Sequence, residues 1–266
     1  MEVKEIIISY KRRDVFRLYP LGDIHIGTKH CAEDKVKEKI KEIGGNPLAW
    51  WIGMGDYAEF ISPKDKRWDS KVISEWVDQD NIAEDQTKRI VDLFTPIAGK
   101  CIGLLAGNHE NSIRRYNHDN VQKNICERLS VTNLGYSAWI KFIFRRSGGE
   151  GHVIKSVFSH GAGCAITKGA KINRLERFMD AFNARIYAIG HMHDIIVDSN
   201  RAYLDLDTNN KIRQMTKVGA VTGCWFRTYT QGVQASYGEE RNYPPTALGC
   251  PVFTIIPSEG IVKVEG

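Results

Sequence analysis

Five short runs in the 266-residue chain each place a candidate functional side chain directly after an apolar stretch. They are Leu21-Gly22-Asp23-Ile24-His25, Ile52-Gly53-Met54-Gly55-Asp56, Leu104-Leu105-Ala106-Gly107-Asn108-His109-Glu110, Val157-Phe158-Ser159-His160 and Ile189-Gly190-His191-Met192-His193. The side chains delivered are carboxylates, imidazoles and one primary amide, which suit divalent manganese, iron or zinc and need no thiolate. Imidazole and carboxylate are also common acid–base groups. An apolar run that ends in a glycine and then polar residues is how a buried strand carries functional groups to the rim of a sheet. Any one of these runs is an ordinary polar strand end. Residues two apart in an extended segment share a face, so Asp23 and His25 are expected to present a carboxylate and an imidazole together, with Ile24 and Ile26 on the other side.

The elements that must position these groups follow from periodicity. Residues 2–9 and Val15 to Leu21 read as strands, separated by the turn signal Lys11-Arg12-Arg13-Asp14. Val36, Ile40 and Ile43 fall at helical spacing over 33–43, with Gly44-Gly45 as a stop. Leu48 to Ile52 is a buried strand, which makes a β-α-β order with a carboxylate at its C-terminal end, the place where open α/β sheets bind ligands. A long helix is expected from Ser70 to Phe94, with 57–80 a partly exposed insertion whose Trp68 and Trp76 are expected to pack into the core. Residues 100–105 lead into the Asn108 run, and a helix follows over 118–129. Strands over 138–145 and 153–158 flank the loop Ser147-Gly148-Gly149-Glu150-Gly151. A helix over 168–182 precedes the strand Ile186 to Ile189. Further strands are expected over 195–206, 211–222 and 251–256, with a long loop at 226–249. No repeat, low-complexity tract or linker interrupts this order, and residues 1–266 read as a single α/β domain with a helical insertion at 57–95 and a substrate-side loop at 226–249.

Composition narrows the class. An apolar content of 42% and six tryptophans supply a real core and exclude global disorder. The net charge of +5 suits an anionic substrate and falls short of a dedicated nucleic-acid binder. Cys31, Cys101, Cys126, Cys164, Cys224 and Cys250 form no C-x-x-C pair, which points to reduced thiols and a cytoplasmic protein. No apolar stretch is long enough for a membrane-spanning helix, so no membrane partner is expected.

Taken together, the runs Asp-x-His, Gly-Asp, Gly-Asn-His-Glu, His-Gly and Gly-His-x-His over residues 23–193 resemble the calcineurin-like metallophosphoesterase superfamily. The motif set is specific for the superfamily and not for any substrate. The resemblance implies a four-layer α-β-β-α sandwich of two mixed sheets flanked by helices. It implies two divalent ions as cofactors, manganese first, with iron, zinc or nickel as alternatives. One would be held by Asp23, His25 and His193, the other by Asn108, His160 and His191, and Asp56 would bridge both. Two carboxylates against two divalent ions leave the site positive, which favours a phosphate ester and a bridging hydroxide for in-line attack. His109 would face the phosphate, either protonating the leaving oxygen or stabilising charge on the non-bridging oxygens. Glu110 would orient the other ring nitrogen of His109, although the family more often carries Asp there.

The implied activity is phosphoester hydrolysis, with a phosphodiesterase, including a nuclease, ahead of a phosphomonoesterase acting on proteins or small phosphates. A metal-binding scaffold without catalysis is the alternative from another class; the filled motif positions and His109 argue against it. Arg114, Arg115 and Tyr116 are the candidates for substrate binding, with nucleic acid as one such partner. Lys168, Lys171, Arg174 and Arg177 form a second basic group, and Trp225, Tyr229, Tyr237 and Tyr243 are candidate stacking residues. His30, His118 and His152 read as ordinary surface or loop residues. Asp194 is either a partner of a ligand imidazole or a solvated turn residue.

Overall fold

The computed structural model describes every residue except Glu150 and Cys164. In chain order the elements are β1 (Glu2–Ser9), β2 (Phe16–Leu21), α1 (Glu33–Gly45), β3 (Ala49–Gly53), α2 (Ile82–Phe94), β4 (Cys101–Leu104), α3 (Asn108–Tyr116) and α4 (Val121–Leu129). They continue with β5 (Ser137–Arg145), β6 (His152–Ser159), α5 (Lys168–Ala181), β7 (Ile186–Ile189), β8 (Ile195–Leu206), β9 (Ile212–Thr222), the single-turn α6 (Tyr237–Glu240), β10 (Val252–Ile256) and β11 (Ile261–Glu265).

Two mixed sheets result. One runs β1-β5-β6-β7-β9-β8 and the other β11-β10-β2-β3-β4. Strand side chains alternate between faces, and in the central strands β2, β3, β4 and β7 both faces are buried, which is why these read as continuous apolar runs. Leu18 and Ile52 on one sheet and Phe142, Phe158 and Ala188 on the other meet in a core between the sheets. Their chain neighbours Tyr19 and Trp51 face the opposite way, against Val36, Ile40 and Ile43 of α1, Ile90 and Phe94 of α2 and Ile125 of α4. Val157, Tyr187 and Val221 likewise turn outward onto Leu175 and Met179 of α5. The layers are therefore helix, sheet, sheet, helix, the four-layer α-β-β-α order that the sequence motifs imply.

Strands β2, β3 and β4 are mutually parallel, as are β6, β7 and β9. Their C-terminal ends bring all five motif runs to one edge of the sandwich.

Three expectations need correction. The helix expected over 70–94 begins only at Ile82; before it stands a 3₁₀ turn at Ser70–Val72. The Asp-rich stretch bonds to itself instead, with the Asp78 carboxylate accepting from Asp80 N–H at 3.0 Å and from the Asn81 amide at 2.9 Å. Such local side-chain bonds compete with helix propagation. Second, Asn108 to Tyr116, to which the sequence assigns no helix, is the helix α3. Third, β11 pairs antiparallel with β10 at the sheet edge and was not anticipated. Cys31, Cys101, Cys126, Cys224 and Cys250 are free thiols, as expected, whereas Cys164 and part of the 147–151 loop lie outside the described residues. Among the described residues no helix is long and apolar enough to cross a membrane.

Candidate metal centre

The chain leaves the regular strands before it reaches the functional residues. β2 ends at Leu21, and Asp23 and His25 adopt left-handed backbone at φ 49° and 55°. They converge, then, but not because the strand stays extended. Asp56, His191 and His193 are left-handed as well, at φ 52°, 68° and 47°. A non-glycine residue there costs about 1–2 kcal/mol, so the strain falls on the very residues the motifs single out, as it does at functional sites generally. Neighbouring backbone stabilises these turns. Asp23 N–H donates to Gly55 O at 2.9 Å, and the Ile24 and His25 N–H groups both donate to Asp56 O at 2.8 and 3.1 Å.

Two glycines make this approach feasible. Gly55 has φ 90°, and a Cβ on it would lie 2.6 Å from the Gly107 nitrogen and 2.8 Å from His160 Nδ1. A Cβ on Gly107 would stand 2.0 Å from Asp56 Oδ1. The β3 and β4 exits thus touch backbone to backbone.

The donor atoms then converge in overlapping groups. Asp23, His25 and His193 form one, Asp56, His160 and His191 another, and Asp56 also joins His25 and His109, with the ligand atoms of each group within 4.8 Å of one another. His193 Nε2 lies 3.3 Å from Asp23 Oδ1 and 3.2 Å from His25 Nε2. His160 Nε2 lies 3.3 Å from Asp56 Oδ2 and 3.0 Å from Asn108 Oδ1. All seven residues expected to hold metal are therefore brought together, with Asp56 in the shared position.

The outer nitrogens of the rings are already committed. His160 Nδ1 faces Met54 O at 2.7 Å and His25 Nδ1 faces the Glu59 carboxylate at 2.8 Å. Each ring donates outward, so its Nε2 lone pair points inward at other acceptors. Asp23 Oδ1 and His191 Nδ1 are buried without a hydrogen-bond partner. Lone pairs crowded against lone pairs in a buried site call for a cation between them. Without one, protons serve: burial favours the neutral His160 ring, but the Asp56 and Asp23 carboxylates push it up to about 10. Burial likewise opposes ionisation of Asp56, yet His160 and His109 hold its carboxyl well below the usual range. The donor set fits divalent ions.

A second layer holds the first, and part of it departs from expectation. Glu110 does not orient His109. Its buried carboxylate accepts the N–H groups of Gly107 at 2.7 Å, Asp56 at 3.0 Å and Tyr57 at 2.8 Å. Glu110 sits at the third position of α3 and reaches back to the capping residue, as half of a capping box does. It is a clasp between two strand exits.

The orienting residue is Glu59, which the sequence reading passed over. Its carboxylate holds His25 and its carbonyl oxygen accepts from His109 Nδ1. Burial works against ionisation of Glu59, but His109, His25 and Arg67 bring its carboxyl down to about 2. The signal available was its spacing, three residues after Asp56 in the same exit loop.

The substrate candidates need a larger correction. Arg114, Arg115 and Tyr116 are exposed at the end of α3 and do not line the cavity over the metal centre, because the helix carries them away from Asn108. That cavity, of about 870 Å³, is walled instead by Arg67 and Trp68 of the 57–81 segment, by Tyr237, Arg241 and Tyr243 of the late loop and by Phe226. Trp68 thus faces the cavity rather than the core. Trp225 is only 2% exposed and cannot stack on a substrate. Lys171 is buried and paired with Asp194 at 3.2 Å, and it lines the same cavity. His30 is no surface residue: it is buried beside the cavity, its Nδ1 2.9 Å from Thr230 Oγ1.

No family model matches the chain, and no curated protein matches it. Among solved structures, the chain is similar to a metallophosphoesterase from Sphaerobacter thermophilus, at 12% identity over 95% of this chain and 88% of that one, with a TM-score of 0.40.

Proposed function

We propose that the chain is a two-metal phosphoester hydrolase acting on phosphodiesters, with manganese as the first candidate for both ions. The observation that supports this best is the crowding of inward lone pairs from His25, His160 and His193 onto the Asp23 and Asp56 carboxylates and the Asn108 side chain. Asp23, His25 and His193 would hold one ion, Asn108, His160 and His191 the other, and Asp56 would be shared. Bound ions would supply positive charge to the phosphoryl oxygens and acidify an attacking water.

The chain's own groups do the rest. His109 gives its Nδ1–H to the Glu59 carbonyl, which leaves Nε2, at 3.9 Å from Asp56 Oδ2, as the atom that can carry a proton to a leaving oxygen. Burial disfavours the charged ring, but the Asp56 and Glu59 carboxylates raise its proton affinity overall.

The cavity volume lies in the range of small-ligand pockets, about 300–1,000 Å³. That size, with Trp68 and Phe226 on its walls, favours a nucleotide-sized diester or a single-stranded end over a duplex. The test is hydrolysis of bis(4-nitrophenyl) phosphate, 4-nitrophenyl phosphate and short single-stranded oligonucleotides by chelator-stripped protein, before and after Mn²⁺ is added. Diester cleavage restored by Mn²⁺ is expected; a rate that survives complete stripping refutes the metal reading, and a monoester rate above the diester rate refutes the diester preference.

A further inference from the structure

We propose that Arg67, carried by the loop between β3 and α2, is a catalytic residue that grips a non-bridging oxygen of the substrate phosphoryl group beside His109. This rests on the phosphoesterase reading and names a contact that none of the five motif runs contains.

The geometry is specific. Arg67 Nη2 donates to Asp65 Oδ2 at 2.7 Å and Arg67 Nε donates to Asp65 Oδ1 at 3.1 Å. One edge of the planar guanidinium is thereby clamped in a two-point pair, and Asp65 Oδ1 also accepts the Arg67 backbone N–H at 2.9 Å. The clamp aims the remaining nitrogen, Nη1, at His109 Nε2, 3.2 Å away. Arg67 thus reaches the one ring atom of the catalytic histidine that faces the cavity, while its side chain keeps 35% of its surface exposed.

A purely structural role explains this poorly. An ion pair two residues apart in a loop contributes about 0–1 kcal/mol, and it needs no contact with His109. A neutral imidazole is a weak acceptor for a guanidinium, whereas a phosphoryl oxygen is its best match. Substrate entry exchanges the Arg67–His109 contact for two others: Nη1 turns to a non-bridging oxygen, and His109 Nε2, freed of its donor, takes up a proton from solvent and then gives it to the leaving oxygen. The same contact, while it lasts, keeps Nε2 occupied in the empty site.

The experiment compares Mn²⁺-loaded wild type with Arg67→Ala, Arg67→Lys and Asp65→Asn. It measures kcat and KM on bis(4-nitrophenyl) phosphate, inhibition and direct binding by inorganic phosphate, and Mn²⁺ affinity. Losing one preorganised donor to transition-state charge lowers turnover about 10²–10³-fold. Arg67→Ala is expected to show that loss mainly in kcat, to weaken phosphate binding at least tenfold, and to regain rate with added guanidinium, with Mn²⁺ affinity unchanged. Asp65→Asn should give a smaller loss of the same kind, and Arg67→Lys should recover only part of the rate. Arg114→Ala, outside the cavity, should stay within twofold of wild type. Active wild type with an Arg67→Ala rate within threefold overturns the role of Arg67 and leaves the hydrolase reading standing. Loss of Mn²⁺ affinity in Arg67→Ala overturns it too, since the residue would then be structural. A wild type that turns over no phosphoester refutes the hydrolase reading; the Arg67 contact is then judged by phosphate binding alone, and equal binding by wild type and Arg67→Ala overturns it.

Discussion

Glu59 is the most informative residue to perturb, because one side chain and one carbonyl hold two different histidines. Its carboxylate accepts from His25 Nδ1 at 2.8 Å in a mostly buried setting. That bond fixes which nitrogen of His25 faces inward and raises the basicity of the inward one. A hydrogen bond to a charged group contributes about 1.5–3 kcal/mol, and 1.4 kcal/mol is a factor of ten, so removing it should weaken the ion at His25 about 10- to 100-fold. This agrees with the usual cost of losing the outer partner of a metal-binding histidine, about 10–100-fold. Glu59→Gln keeps an acceptor oxygen and should lie near the tenfold end; Glu59→Ala frees the ring and should lie near the hundredfold end. The backbone carbonyl that holds His109 survives both changes, so turnover at saturating Mn²⁺ should recover most of the wild-type rate. The assay is calorimetric Mn²⁺ titration of stripped protein, resolving two sites, followed by rate measurements across Mn²⁺ concentration. Two sites of unchanged affinity in Glu59→Ala would show that His25 is not a ligand oriented in this way. Equal weakening of both sites would show that Glu59 supports the loop as a whole and not His25.

Three further outcomes follow from the same geometry. His109→Ala should cost about 10²–10⁴-fold on an alkyl phosphodiester, the usual span of general acid catalysis, and much less on the 4-nitrophenyl diester, whose leaving group needs no proton; equal losses on both would assign His109 to charge stabilisation instead. Glu110→Ala strands three buried N–H groups at about 1–3 kcal/mol each, so it should lower the melting temperature sharply and Mn²⁺ affinity with it, while a melting curve like wild type's would show that the clasp between Gly107, Asp56 and Tyr57 carries little. Because the metal-free fold holds the His160 proton up to about 10 against an ordinary 6.5, its contribution to stability is complete below pH 6.5 and is lost as pH rises toward 10; stripped protein should melt progressively lower between pH 6.5 and 9, Mn²⁺ affinity should rise over the same window as the proton is displaced, and a stripped protein whose melting temperature climbs with pH would contradict both.

How legible was this in the sequence? The strands other than β11 were, most plainly the central ones, where burial on both faces makes Leu18-Tyr19 or Tyr187-Ala188 apolar at every position, and so was the set of seven side chains that converges, because each follows such a run. The geometry that unites them was not. Asp23 and His25 were expected to share a face of an extended strand, but the chain turns left-handed at both, a conformation that periodicity does not encode. Glu110 was assigned to His109 by analogy with carboxylates that orient catalytic histidines elsewhere. In a helix the next residue points about 100° away, and α3 sends Glu110 back to the Gly107, Asp56 and Tyr57 backbone instead. The same helix removes Arg114, Arg115 and Tyr116 from the cavity. Glu59 and Arg67 escaped notice for a different reason: they sit in irregular loop, where spacing carries no directional information and only tertiary contacts reveal the aim of a side chain.

The distribution of strain explains why the second layer is as extensive as it is. Five of the candidate ligands have left-handed backbone. At about 1–2 kcal/mol apiece their combined cost is comparable with the whole net stability of a typical domain, about 5–15 kcal/mol. The apolar layers alone cannot choose this conformation over a relaxed one, because burying Leu21, Ile24 and Ile26 constrains the strand exit without dictating the sign of φ at Asp23 or His25. Directional bonds can. The Asp56 carbonyl takes two N–H groups from the β2 exit, the Glu110 carboxylate takes three from the β3 and β4 exits, Asp23 Oδ2 takes the His191 N–H at 2.9 Å, and Asp56 Oδ1 takes the His109 N–H at 2.9 Å. In the last two cases the same carboxylate that offers one oxygen to the centre uses its other oxygen to tie down the next motif run. The ligands are therefore part of the scaffold that strains them, and a substitution at Asp23 or Asp56 removes a donor and a backbone tie in one step.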